Sequence, residues 1–544
     1  MDDTAPGSAP TTATAPTPTT APTTATAPTT ATGLRDDAAS RRWRTVWRTH
    51  FYAGVVAAPI LLLLAITGLV ILYTQPITDL ARGDITLRTT TGASQSLSKQ
   101  AEAVRTAFPD LAVVAMTTPV DQDHATAFGL SNGRDAYVDP GSLEVLGTRN
   151  PAGGVVGLAN RLHGFLNNDA VEISLPTLSG LFGEGPLLGK FSAGDALLEV
   201  FGGWALILAC SGVYLWWPRQ RDSGKALFLP RLRKKGRARW RDLHAVPGFL
   251  LSFVLVFFIV TGMPWSGYWG GNWAYLAGKI TPPVEVTQPV SAIARLGDVD
   301  RLGNKLNWPL QDDPIPASAG GSGGSNSSSN AGSASDDEPG HVGHLDEPAP
   351  IAGGELTAAQ VSLDVVAAAA ADEGMQPGYI VIFPEDDMTD AAAPVFGSFA
   401  LTNPWPSKTQ QSLTVYVDQF RGTTLGRTTA DDWGGVSKGT DYLVSTHMGT
   451  QFGVVNRIVM TFGCVGVTWS IISATVMYTK RRRAGSLGLP RRPADIRLAH
   501  RLGLIALVIG IVYPLWGLTA LVVMTFDRFV IRRAPRLRVA FGQR

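Results

Sequence analysis

Five stretches of the chain stay apolar for about 20 residues or more, the length that crosses a bilayer. They run from Phe51 to Tyr73, Ala196 to Trp217, Ala245 to Trp265, Ile458 to Tyr478 and Leu502 to Phe526, and Glu199 is the only charged residue inside them. A buried helix of a soluble protein keeps a polar stripe, so the pattern predicts an α-helical membrane bundle of about five transmembrane helices. The long segments between the spans have other periods. Residues 95 to 107 and 356 to 372 carry apolar positions at helical spacing, while 379 to 383 and 412 to 417 read as strands. Each long segment therefore predicts a small α+β module outside the membrane.

Charge sets the orientation. Arg41, Arg42, Arg44 and Arg48 precede the first span. Arg231, Arg233, Lys234, Lys235, Arg237, Arg239 and Arg241 lie between spans 2 and 3, and Lys480, Arg481, Arg482, Arg483, Arg491 and Arg492 between spans 4 and 5. The positive-inside rule puts the N-terminus and both short loops in the cytoplasm and segments 74 to 195 and 266 to 446 outside. The C-terminal tail conflicts with this. Five spans leave it outside, yet it carries Arg528, Arg532, Arg533, Arg536 and Arg538, and Pro514 lies within span 5. Either the rule fails for a true fifth span or residues 502 to 526 form a re-entrant pair.

A repeat runs through these elements. His50 is followed by Gly54 and Thr67-Gly68, and His244 by Gly248 and Thr261-Gly262, at the same spacings. Tyr137-Val138-Asp139 precedes Leu146-Gly147 as Tyr416-Val417-Asp418 precedes Leu425-Gly426. A second histidine follows in each half, His163 and His447, and then a span whose Ser211-to-Arg219 interval equals Ser473 to Arg481. The reading is a duplicated two-helix unit, both copies entering the membrane from the same side, related by a pseudo-twofold axis along the membrane normal.

The resulting division is a disordered Thr/Ala/Pro-rich tail at 1–40, transmembrane helix 1 at 41–74 and an outer module at 75–160. An outer histidine segment with a Gly- and Leu-rich insertion and helix 2 occupies 161–218, and a basic loop 219–243. Helix 3 is expected at 244–266, and the second outer module at 267–446 with a flexible Gly/Ser/Asn/Asp-rich insert at 314–350. Helix 4 (447–480), a basic loop (481–500), helix 5 (501–527) and a basic tail (528–544) complete the chain. Only Cys210 and Cys464 are present, both in apolar runs, which excludes a disulfide framework, a zinc site and a C-x-x-C-H haem attachment. No Walker loop or dinucleotide fingerprint is found, and no segment reads as a flavin or nicotinamide domain. Electrons passing through this chain would come from a membrane quinol or a cytoplasmic reductase. No nucleic-acid partner is expected.

His-x-x-x-Gly opening a span, the outer Tyr-Val-Asp module, Leu162-His163, Tyr214-Leu215-Trp216-Trp217-Pro218-Arg219, Leu243-His244 and His447-Met448-Gly449 together resemble the PepSY-associated transmembrane family over roughly residues 41 to 483. The resemblance implies that the two outer modules are PepSY-like. It also implies kinship with ferrisiderophore reductases of the bacterial cytoplasmic (inner) membrane that carry b-type haem. A near-twofold axis brings equivalent residues together, so His50 with His244 on the inner side, and His163 with His447 on the outer side, are candidate axial ligands of two haems b. Contact with headgroups and water is the plain alternative for each histidine. Gly54 and Gly248, one turn beyond His50 and His244, would make room for a macrocycle or serve helix packing. His500 is a spare inner-side candidate, His341 and His344 lie in the flexible insert, and His124 has no evident partner. Trp265 to Trp273 could floor a substrate cleft or belong to an aromatic belt. The expectation is a membrane-bound cytochrome reducing an extracytoplasmic ferric complex such as a ferrisiderophore. A non-redox ligand-binding or protease-regulating membrane protein and a transporter are its rivals.

Overall fold

The computed structural model describes residues 31–168, 170–217, 230–233, 235–281, 290–296, 306–311, 313–318, 360–387, 389, 395–404, 407–481, 504 and 507–540. In chain order, α1 (Ala31–Leu72) leads through α2 (Thr74–Thr86) and α3 (Leu97–Ala107) to strands β1 (Val113–Thr117), β2 (Thr126–Leu130), β3 (Asp135–Val138) and β4 (Val145–Arg149). Helix α4 (Gly154–Phe165) follows, then a hairpin of β5 (Glu172–Pro176) and β6 (Leu188–Ser192) around the single turn α5 (Leu178–Leu181). Helices α6 (Ala193–Trp216), α7 (Arg237–Gly262) and α8 (Gly267–Ile280) precede the paired strands β7 (Val290–Arg295) and β8 (Pro314–Pro316). The second half continues with α9 (Leu363–Asp372), β9 (Ile380–Ile382), β10 (Ser398–Thr402), β11 (Leu413–Asp418), β12 (Thr424–Thr429), α10 (Gly435–His447), α11 (Gly453–Thr479), α12 (Pro514–Phe526) and α13 (Pro535–Ala540).

Among the described residues, five helical segments are long and apolar enough to span a membrane: Ser40–Leu72, Ala193–Trp216, Arg237–Trp265, Gly453–Thr479 and Pro514–Ile531. Four of them close a ring in which α1 and α7 each pack against both α6 and α11. The approach of α11 to α7 depends on small residues. A Cβ on Gly463 would meet Phe258 at 3.0 Å and Val254 at 3.0 Å, and one on Gly466 would collide with Leu251. Between helices in lipid there is no hydrophobic gain to be had, so such close van der Waals contact is what holds them.

The two long segments between the spans, 74–195 and 266–446, form one antiparallel sheet of eight strands in the order β12-β11-β10-β9-β1-β2-β3-β4. Each segment supplies four consecutive strands, and the halves meet where β1 pairs with β9 (Met116 opposite Val381). The sheet thus joins the two modules expected from the sequence into a single layer. Helices α3 and α9 cover one face, capped by the Ser96 and Ser362 side chains, which accept from the Lys99 and Val365 amides. Beneath them Phe128, Leu130, Phe383, Phe399 and Leu401 are fully buried, and Phe383 meets Phe399 edge to face at 5.9 Å. Each such side chain contributes about 2–3 kcal/mol of apolar burial. The Tyr-Val-Asp motif acquires a local reason here. Asp139 accepts from the Gly141 and Ser142 amides and Asp418 from the Phe420 and Arg421 amides, so each aspartate fixes the turn into the next strand.

Two expectations take structural form here. The fifth span is not one helix over 501–527. Its chain bends at Tyr513-Pro514, because proline has no amide hydrogen and clashes with the preceding turn. A Cβ on Gly517 would lie 2.8 Å from the Gly510 Cα, although residues seven apart in a straight helix are roughly 10.5 Å apart. The second concerns the aromatic residues after span 3. Trp269 stacks on Trp273 at 5.7 Å and on Tyr513 at 6.1 Å, and its indole N–H donates to the Val512 carbonyl. They brace this bend. The N-terminal tail to residue 30, residues 319–350 of the Gly/Ser-rich insert, His341, His344 and His500 lie outside the described residues.

Candidate functional site

Two pairs of histidines lie at opposite ends of the helix ring. His50 on α1 and Thr67 on the same helix are 17 residues apart, as are His244 and Thr261 on α7. That separation is about 26 Å along a helix, close to the thickness of a hydrocarbon core.

At the first end, His50 and His244 face each other with ring centres 6.4 Å apart and planes at 67°. The His50 Nδ1 lies 3.1 Å from the Leu208 carbonyl and 3.0 Å from the Ser211 hydroxyl. The His244 Nδ1 lies 3.0 Å from the Ser470 carbonyl and 3.3 Å from the Ser473 hydroxyl. A carbonyl only accepts, so Nδ1 carries the hydrogen in both rings and Nε2 is left with its lone pair. Ser211 and Ser473 hold matching places in the repeat, and each hydroxyl donates to its own helix, Ser211 to Ile207 at 2.6 Å and Ser473 to Ser470 at 3.0 Å. Both therefore keep a lone pair for the imidazole N–H.

At the second end, His163 lies in the last turn of α4 and His447 ends α10. The His163 Nδ1 is 3.0 Å from the Thr67 hydroxyl, which donates to the Leu63 carbonyl at 2.9 Å. The His447 Nδ1 is 2.8 Å from the Thr261 hydroxyl, which donates to the Phe257 carbonyl at 2.7 Å. With the hydroxyl hydrogen already used, each threonine accepts from Nδ1–H, and the same tautomer results. The glycine after each threonine makes room for the ring. A Cβ would stand 3.3 Å from the His163 Cε1 at Gly68 and 3.6 Å from the His447 Cε1 at Gly262. Thr67 on α1 and Thr261 on α7 thus hold the two rings at the same end of the helix ring.

All four histidines thus present the same chemistry. Nδ1–H is fixed by an acceptor on a neighbouring helix, and Nε2 has no hydrogen-bond partner among the described residues. This is how metal-binding imidazoles are oriented, the outer nitrogen setting tautomer and ring angle for the inner one. Among the described residues no three His, Cys, Asp or Glu side chains cluster as a metal site, so what the geometry offers is paired imidazoles.

The serines and threonines that hold the rings were visible in the sequence only as matched repeat positions. The available signal was that each threonine lies 17 residues after a histidine and each serine eight residues before the arginine that closes its span. A Cβ on Gly54 would meet Leu208 at 3.5 Å, whereas one on Gly248 would meet nothing within 4 Å, so only the second opens into space. Cys464 is buried beside Gly68, and Cys210 is exposed. His124 belongs elsewhere. It bridges Asp121 at 2.6 Å and Asp79 at 3.4 Å on the rim of a cleft of about 440 Å³ between the halves of the sheet domain, and none of the four paired histidines lines that cleft.

No curated protein matches the chain. The family model described as PepSY-associated TM region matches residues 47–481, which takes in all four paired histidines, the sheet domain and four of the five candidate spans. The chain therefore belongs to the PepSY-associated TM region family, a family of membrane proteins.

Proposed function

We propose that this protein is a duplicated, di-haem b-type cytochrome of a bacterial cytoplasmic membrane that carries electrons outward to an extracytoplasmic ferric complex, a ferrisiderophore being the leading candidate. The single observation that supports it best is the His50–His244 separation of 6.4 Å. Two imidazoles bound through Nε2 to one metal, each at about 2 Å, have ring centres about 6.3 Å apart when opposed. The fixed Nδ1–H tautomers fit the same role, because both rings keep Nε2 free for iron. His163 and His447 would serve the second haem in the same way, held by Thr67 and Thr261.

Haem held there supplies a one-electron Fe(III)/Fe(II) couple on each side of the bilayer. The chain's part is to hold and tune. The Leu208 and Ser470 carbonyls and the four hydroxyls draw on Nδ1–H and so raise the basicity of Nε2. The apolar ring of α1, α6, α7 and α11 excludes water between the two sites. A quinol or a cytoplasmic reductase would be the electron donor at the His50–His244 side. Reduction of the ferric complex weakens its hold on hard oxygen ligands and releases iron for uptake.

A pyridine haemochrome assay on purified protein tests this, with an expected two haems b per chain. His50→Ala or His244→Ala should remove one, and His163→Ala or His447→Ala the other. Colourless protein would leave the ligand-binding or transporter readings standing and end this one.

A further inference from the structure

We infer that Asp441 is a proton-uptake group linked to reduction at the His163–His447 end, reached from solvent past Thr409, Gln451 and Gln410. This rests on the electron-transfer reading above. Asp441 lies on α10, six residues before His447, or about 9 Å along the helix. It is 0% exposed. One carboxyl oxygen accepts from the Asn307 amide at 3.2 Å. The other, Oδ1, is buried with no hydrogen-bond partner among the described residues, and so are the hydroxyls of Ser445 and Thr409. Those hydroxyls are near enough to favour the carboxylate charge but are not in hydrogen-bonding geometry.

An ionised carboxylate with an orphaned oxygen in such a place is costly. A proton on Oδ1, or a water joined to all three orphaned atoms, relieves it, and either makes the cluster a place where a proton can reside. Burial pushes the carboxyl up to about 6, against the pull of Thr409, Asn307 and Ser445. Among the described residues, the groups facing it are neutral. Asn307 comes from the 306–311 segment, Thr409 from the turn before β11, and Ser445 from its own helix. The neighbouring Thr440 is held by the Trp273 indole of α8. The cation on its own helix, Lys438, is paired with Asp431, and Lys408 is exposed.

A polar path leads out. Gln451 accepts from the Thr409 amide at 3.0 Å and donates to the side chain of exposed Gln410 at 2.8 Å. The place matching Asp441 in the first half, six residues before His163, is Gly157, so the helix scaffold does not itself require an acid there. An electron arriving beside His447 adds negative charge nearby and raises the carboxyl's proton affinity. The balanced step is one electron onto the outer centre and one proton from the outer water onto the Asp441 carboxylate, released again when the electron leaves.

Redox titration of the full-length haem-loaded protein between about pH 5 and 8 tests the linkage. The outer midpoint potential should fall as pH rises through about 6, while the inner one changes less, and Asp441→Asn should flatten the outer dependence. Infrared spectra should contain a neutral-carboxyl band that disappears over the same pH range and is missing in Asp441→Asn. Ser445→Ala with Thr409→Val should keep the band but move its midpoint, which covers the case of a poorly folded Asp441 variant. Haem with a pH-independent outer potential in the unaltered protein overturns the linkage alone. Protein that binds no haem overturns the electron-transfer reading, and the linkage with it.

Discussion

The Thr261 hydroxyl sits 2.8 Å from the His447 Nδ1 while giving its own hydrogen to the Phe257 carbonyl. It is therefore an obligate acceptor for the ring, and Thr67 does the same for His163. Thr→Val at either position keeps the shape and removes the acceptor. Loss of such an outer partner costs roughly 10- to 100-fold in metal affinity. Titration of haem into each variant should show that weakening at the outer site only. Equal weakening at both sites would mean that the change acts through the bundle and not through the ring.

Asp139 is 0% exposed and accepts from the amides of Thr89, Thr90 and Gly141 at 2.6, 2.9 and 2.8 Å, and from both threonine hydroxyls. Desolvation by burial favours the acid form, but these hydrogen bonds prevail and hold the carboxyl well below the usual carboxylate range. Because the folded value is depressed, the stabilisation is fully present above the unfolded value of about 3.9 and disappears as pH falls towards the folded one. Asp139→Ala should cost the sheet domain about 1.5–3 kcal/mol at neutral pH, the scale of hydrogen bonds to a charged group. Denaturant unfolding followed at several pH values should find the gap between variant and parent closing in acid.

The bend at Tyr513-Pro514 bears on the tail. Gly510 and Gly517 come into backbone contact there, so the chain turns sharply after residue 512. A re-entrant course would bring Arg528, Arg532, Arg533, Arg536 and Arg538 back to the side of the other basic loops, as the positive-inside rule demands. A reporter fused after Arg538 should then give the same signal as one fused after Lys235. Opposite signals would make α12 a full fifth span.

The segment 266–446 holds many more Asp and Glu than Lys and Arg, which suits a neutral or cationic ferric complex better than an anionic one. Reduced protein freed of excess reductant should be reoxidised faster by a ferric hydroxamate than by ferric citrate. Equal rates with every chelate would describe a general cytochrome without a siderophore preference.

Hydropathy was enough to read the membrane character and four of the spans, since about 20 apolar residues in a row have few other uses. The order of His, Thr-Gly, Tyr-Val-Asp and the second His was enough to read the family and to pair the histidines, because that order survives whatever the chain does between them. Local sequence could not say that β1 and β9 would join the modules into one sheet, as an open strand edge finds its partner only in space. Nor could it say that Ser211, Ser473, Thr67 and Thr261 point at imidazoles on other helices, since helix rotation within the bundle decides which face meets which. The bend at Pro514 was half legible. Proline marks where a helix is weak, but only the packing of Trp269 and Trp516 against it decides how far it turns.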